Sequence, residues 1–91
     1  MSVLEEEFNK YSEIVKNLKE TPEDDVLLTL YGLYKQSTEG DCNIDEPGFL
    51  NFKAKSKYNA WKDQEGLETN KAMKYYIREV KRLIKQYGIN E

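Results

Sequence analysis

The stretch ETNKAMKYYIREVKRLIKQYG, residues 68–88, decides the fold class. Met73, Ile77, Val80, Leu83, Ile84 and Tyr87 recur every three or four positions, with lysines and arginines in most of the gaps. That period is the one-sided stripe of an amphipathic helix, and Gly88 is placed to close it. The start of the chain repeats the pattern in Leu4, Phe8, Tyr11, Val15 and Leu18, which predicts a first helix ending near Thr21-Pro22. Pro22 cannot continue that helix but suits the first turn of another, so a second helix is expected from about Pro22 to about Thr38, with Thr21 as its N-cap. Glu23, Asp24 and Asp25 then set negative charge beside the positive end of its dipole. Gly40 to Gly48 is dense in turn formers and reads as an ordered loop. A third helix is expected from about Phe49 to Glu65, bringing Leu50, Ala54, Tyr58 and Trp61 to one side and ending at Gly66. No segment alternates with period two over a useful length, so the expectation is an all-α chain of four helices with no sheet.

Ninety-one residues make one small domain, expected to span residues 1–91. With 38% hydrophobic and 34% charged residues, and Val26-Leu27-Leu28 as the longest strongly apolar run, no segment is apolar enough to cross a membrane. The opening Met-Ser-Val-Leu-Glu-Glu-Glu is acidic where a secretory leader would be basic, so a cytoplasmic location is expected. A single cysteine, Cys42, allows no internal disulfide, and the absence of histidine removes the commonest general base and zinc ligand. No carboxylate pair in a catalytic setting and no glycine-rich phosphate loop is recognisable, which favours a binding protein over an enzyme and leaves no metal to expect.

Net charge is −3 but unevenly spread: residues 1–25 carry eight acids against three bases, and residues 50–91 carry five acids against ten bases. This asymmetry suits an anionic ligand of limited size, and equally a pair of complementary helix surfaces. The acidic balance argues against nucleic acid as a partner.

Tyr31, Tyr34 and Lys35 stand about one helical turn apart, as do Lys53 and Lys57, and Tyr76 adds a further phenol. Aromatic faces hold flat rings and ammonium groups neutralise phosphates, so such a surface suits a nucleotide-like, polyphosphorylated partner. On spacing alone the same residues also fit half-buried tyrosines beside a solvated lysine face. Tyr11, Tyr58 and Tyr87 read as core-rim residues, Trp61 as core, and Lys55, Lys62, Lys71, Lys74, Lys81 and Lys85 as solvent-facing.

At Tyr31-Gly-Leu-Tyr34-Lys35-Gln36, Gly40-Asp41, Pro47-Gly48, Phe52-Lys53-Ala-Lys-Ser-Lys57-Tyr-Asn-Ala60-Trp61 and Met73-Lys-Tyr-Tyr76-Ile77, the chain closely resembles the acyl-CoA-binding protein family. The order and separation of these blocks agree with the family without shifts from about Phe8 to Ile89. The resemblance implies a skewed up-down-down-up four-helix bundle that binds long-chain acyl-CoA thioesters without covalent chemistry. It also implies an intracellular acyl-CoA carrier and pool-former for lipid metabolism, with acyl-CoA as its ligand and no cofactor.

By the same resemblance, Tyr31, Tyr34, Lys35, Lys57 and Tyr76 match headgroup-binding positions, and Lys16 and Lys53 match supporting contacts. Tyr34 is expected against the adenine, with Tyr31, Lys35 and Lys57 near the ribose 3′-phosphate. A monomer in transient contact with acyl-CoA-using enzymes or membrane surfaces is expected. Three positions depart from the pattern: Glu46 where a base is usual, Tyr58 for a common tryptophan, and Thr29 at a site often apolar. These bear on chain-length preference. The alternative reading is a helical interaction module docking an acidic protein or membrane surface through its basic face.

Overall fold

Helix formation begins with a reciprocal cap: the Ser2 hydroxyl accepts from the Glu5 N–H at 3.1 Å, and the Glu5 carboxylate accepts from the Ser2 N–H at 3.4 Å. In the computed structural model, which describes residues 2–90, four helices follow: α1 (Val3–Ile14), α2 (Asp24–Glu39), α3 (Phe52–Lys62) and α4 (Thr69–Tyr87). Among the described residues there is no strand, only an isolated bridge between Leu18 and Ile89.

The boundaries correct the sequence reading in four places, one of them the end of α3, which stops at Lys62 and not near Glu65 because the Gln64 and Glu65 N–H groups close tighter turns onto the Trp61 and Lys62 carbonyls, each at 3.0 Å. The first helix gives way after Ile14 to a 3-10 turn over Val15–Asn17, so Leu18 lies beyond it. For α2 the N-cap is Glu23, in extended conformation, instead of Thr21. Pro22 stays ahead of the helix because its buried ring is used in packing beside Val15 and Leu18. Helix α3 starts at Phe52, where the Asn51 side chain accepts from the Ala54 N–H at 3.3 Å. A turn closed by the Asn51 N–H on the Gly48 carbonyl, 3.0 Å, takes up Phe49 and Leu50. Leu50 is therefore 76% exposed, off the inward face it was expected to share.

Cross-helix contacts fix the topology. Tyr11 lies under the Lys81 ammonium at 5.4 Å and Leu18 bridges to Ile89, so α1 and α4 run in the same sense. Tyr34 approaches Tyr76 at 6.0 Å and the Gln36 amide donates to the Leu67 carbonyl at 2.8 Å, so α2 opposes α4. Leu28 pairs with Ser56 and Gly32 with Ala60, so α3 runs alongside α2 in its own direction. The result is up-down-down-up.

Phe8, Leu30, Leu33, Tyr76, Ile77, Val80 and Leu83 form the core cluster, and four of these seven come from α4. Helix α3 buries only Trp61. It is held at its C-terminal end. A Cβ on Gly32 would lie 2.3 Å from the Ala60 carbonyl oxygen, so only glycine permits this approach of the two backbones. The Trp61 indole N–H donates to the Gly40 carbonyl at 2.8 Å. Asp41 completes the clamp, accepting from the Gln36 amide at 2.9 Å and the Gly66 N–H at 2.8 Å. Those donors, Gly66 first, hold its carboxyl below the ordinary carboxylate range.

Candidate functional site

Two cavities open where α2 faces α3 and the end of α1, and they share Leu27 and Tyr31. One, of about 540 Å³, lies between α2 and α3 and is lined by Asp24, Leu27, Leu28, Tyr31, Phe52, Lys53, Ser56 and Lys57. The other, of about 340 Å³, lies between α2, α4 and the 3-10 turn, and is lined by Val15, Lys16, Leu18, Pro22, Leu27, Leu30, Tyr31, Tyr34 and Tyr76. Tyr31 stands at the junction because helix positions 27 and 31 are one turn apart on a single face.

The candidate side chains divide between these cavities. Tyr31 sits beneath the Lys57 ammonium, 5.4 Å from its ring centroid, and Lys53 lines the same α2–α3 cavity. Tyr34 stacks on Phe8 with centroids 5.6 Å apart and planes 24° from parallel, yet remains 41% exposed. It is a phenol braced by the core on one side and open to a ligand. Tyr76 leans on Phe8 at 5.1 Å and is buried; desolvation, with the Tyr34 phenol a lesser cause, pushes its hydroxyl up to about 12. It therefore presents a neutral O–H at physiological pH. Lys16 lines the Tyr34 cavity and pairs with Glu13 at 3.3 Å, both side chains exposed.

Lys35 is the one candidate that lines neither cavity. Its ammonium is bound by the Glu39 carboxylate and lies 4.8 Å from the Trp61 ring centroid. The Glu39 hydrogen bond raises its pKa against the opposing effect of burial, so the charge is kept. Glu46, the acidic departure in the loop, pairs with Lys55 at 2.9 Å. Tyr58 and Thr29 line neither cavity; the Thr29 hydroxyl donates to the Asp25 carbonyl at 3.0 Å.

The sequence reading missed the apolar wall of the larger cavity: Leu27, Leu28 and Phe52. A signal for two of them was present, since three consecutive apolar residues, Val26-Leu27-Leu28, span too wide an arc of a helix for all to face one core. Together the two cavities offer a greasy trough beside ammonium groups and a second recess walled by three phenols. An amphiphile with a flat ring and anionic groups at one end meets complementary surface in both.

Several known proteins are similar to this chain in sequence and in fold. A sequence profile of the family described as Acyl CoA binding protein matches residues 5–80. A protein of the genus Hypsibius, provisionally named an acyl-CoA-binding protein, is 47% identical over 89 residues, covering 98% of this chain and 99% of its own. The crystal structure of Oryza sativa acyl-CoA-binding protein 2 superposes with a TM-score of 0.88 at 42% identity, covering 91% of this chain and 90% of the rice chain. That of the Moniliophthora perniciosa protein gives a TM-score of 0.84 at 36% identity, covering 94% and 83%.

Proposed function

The chain belongs to the acyl-CoA-binding protein family, and on that premise we propose that it binds long-chain acyl-CoA with its headgroup in the tyrosine-walled recess and its acyl chain in the α2–α3 trough. The observation that carries this reading is the sharing of Leu27 and Tyr31 by an apolar trough and a phenol-lined recess. A ligand lying across the junction keeps its two chemically different ends each in matching surroundings.

Tyr34, braced on Phe8, stacks against the adenine; Tyr31 and Lys57 meet the ribose 3′-phosphate; Lys16 and Lys53 add charge at the rims of the two cavities. Lys35 joins them by turning from Glu39 toward Tyr31, one turn away on α2. Tyr76 closes the floor of the recess as a neutral phenol. No group on these walls is arranged as a nucleophile with its base, so the thioester is held and not cleaved. A monomeric cytoplasmic carrier, a single domain that releases its ligand according to affinity, follows from this reading.

Energetics favour the conjugate over either half. Each charge-assisted hydrogen bond contributes about 1.5–3 kcal/mol. Each methylene removed from water contributes about 0.8 kcal/mol, against an association cost of about 4–15 kcal/mol. Calorimetric titration with CoA, palmitate and acyl-CoAs of increasing length tests this directly. Affinity should rise about fourfold per added methylene until the trough is filled, with CoA and palmitate both far weaker. Equal binding of CoA and palmitoyl-CoA defeats the reading.

A further inference from the structure

Among the lysines assigned to the ligand, Lys35 is the one whose charge is already engaged inside the protein. Lys53 and Lys57 enter no ion pair among the described residues, and Lys16 pairs with Glu13 in the open, where 68% and 74% of the two side chains are exposed. The Lys35 side chain is only 24% exposed; its ammonium is bound by the Glu39 carboxylate and lies 4.8 Å from the Trp61 ring centroid. The phenols of Tyr31 and Tyr34 are near enough to act electrostatically on the same ammonium. Lys35 thus stands between two destinations on α2, with Tyr31 one turn before it and Glu39 one turn after.

Helix stability does not account for Glu39. It is the last residue of α2, where the negative end of the dipole disfavours a carboxylate. A lysine placed four positions ahead of a glutamate is also the weaker order for such a pair. What Glu39 does hold is the ammonium that a bound ligand needs.

We propose that Glu39 is a built-in competitor for the ligand's 3′-phosphate: in the empty protein its carboxylate occupies Lys35, and a ligand gains that ammonium only by carrying a phosphate that takes it away. The proposal rests on the acyl-CoA reading above, which brings the ribose 3′-phosphate to Tyr31 and Lys57. A phosphate monoester bears more charge than a carboxylate and offers three acceptor oxygens, so it wins the exchange. Lys35 reaches it by rotating about its own side-chain bonds. The Glu39 side chain is 41% exposed, so the released carboxylate is taken up by water.

The exchange has a definite consequence for affinity. Lys35 gives up one anion to gain another, so its net contribution to binding is smaller than that of a lysine with no partner. Specificity is set here by an opposing contact as well as by an attractive one. The grip on the headgroup is loosened without any change in the trough, which leaves selection of the acyl chain intact while easing release.

The test is calorimetric titration of the wild type, Glu39→Gln, Lys35→Ala and the double variant, each with palmitoyl-CoA and with 3′-dephospho-palmitoyl-CoA. Glutamine removes the charge while keeping the length and helix preference of the side chain. Glu39→Gln is expected to bind palmitoyl-CoA about three- to fivefold more tightly than the wild type, and the dephosphorylated analogue no differently. With Lys35 already replaced by alanine, the same change should alter neither affinity. Unchanged or weaker binding of palmitoyl-CoA by Glu39→Gln overturns the proposal. So does an equal gain for both ligands, or a gain that persists without Lys35, since either would make Glu39 a general repulsion on the headgroup and not a competitor for one ammonium. These outcomes leave the carrier reading standing; failure of the wild type and every variant to bind palmitoyl-CoA defeats that reading and this proposal together.

Discussion

The α1–α4 side of the bundle and the α2–α3 side are built on different terms. Helix α4 buries Ala72, Tyr76, Ile77, Val80 and Leu83 along one stripe, and its neighbours close over it. Helix α3 buries Trp61 alone, and is fastened near its C-terminal end by Gly32 against Ala60, the Trp61 indole on Gly40 and the Asp41 clamp. Its N-terminal half, with Phe52 and Lys53 exposed, forms the rim of the trough. One side is stabilised by closing, the other is made useful by staying open. A helix pinned at one end and free of core obligations at the other can spend its side chains on ligand.

The largest effect that would sharpen this contrast is Leu83→Ala. Its side chain is fully buried at 0% exposure, and truncation should cost about 2–5 kcal/mol of stability. Urea unfolding would read that loss, while acyl-CoA affinity measured on the folded protein should be little changed. Lys57→Ala should do the reverse, lowering acyl-CoA affinity tenfold or more, about 1.5–3 kcal/mol, with an unchanged unfolding midpoint. If Lys57→Ala unfolds the protein, the division between the two sides is wrong.

Gly32→Ala tests the joint between them. The added methyl meets the Ala60 backbone, which cannot yield as a side chain does, so a loss of about 1–3 kcal/mol is expected together with weaker acyl-CoA binding. A variant stable as wild type would show that α3 can shift freely. The smallest effect at neutral pH is expected of Tyr76→Phe, under about 1.5 kcal/mol, because volume is nearly kept.

That variant has a distinct signature in alkali. The folded-state pKa of Tyr76 is raised from 10.0 to about 12, so its contribution is whole below pH 10 and is lost as pH climbs through 12. Unfolding midpoints measured across that window should fall less in Tyr76→Phe than in the wild type. An identical decline would place the phenol in a more solvated setting than its 4% exposure implies.

Much of this molecule is legible in its residues alone. The stripes of α1 and α4 stand in the sequence because helical period is a local property, and Gly88 closes α4 as expected. Trp61 reads as core and is 1% exposed. The misplaced starts of α2 and α3 have a common cause: Pro22 and Leu50 were judged by local preference, while packing of Pro22 and the Gly48–Asn51 turn settled where each helix began. Among the candidate site residues, chemistry was visible in the types and spacing of tyrosine and lysine, but not the direction each side chain takes. Lys35 shows the limit, since its neighbours in sequence suggest the phosphate cluster while Glu39 and Trp61 hold it in this structure.

The amino-acid sequence alone determined four helices, the apolar stripes of α1 and α4, an acidic first quarter and basic second half, and the phenol and ammonium groups available to a ligand, because each depends on neighbours within a turn or two. Tertiary structure alone decided that Leu27 and Tyr31 would join two cavities, that α3 would be pinned at one end, and that Phe49 and Leu50 would stand in solvent. The reason is one of range: the pinning of α3 follows from how closely α2 and α3 approach at Gly32 and Ala60, a contact between residues 28 positions apart that no local pattern encodes, while Phe49 and Leu50 stand in solvent because the Gly48–Asn51 turn carries them ahead of α3.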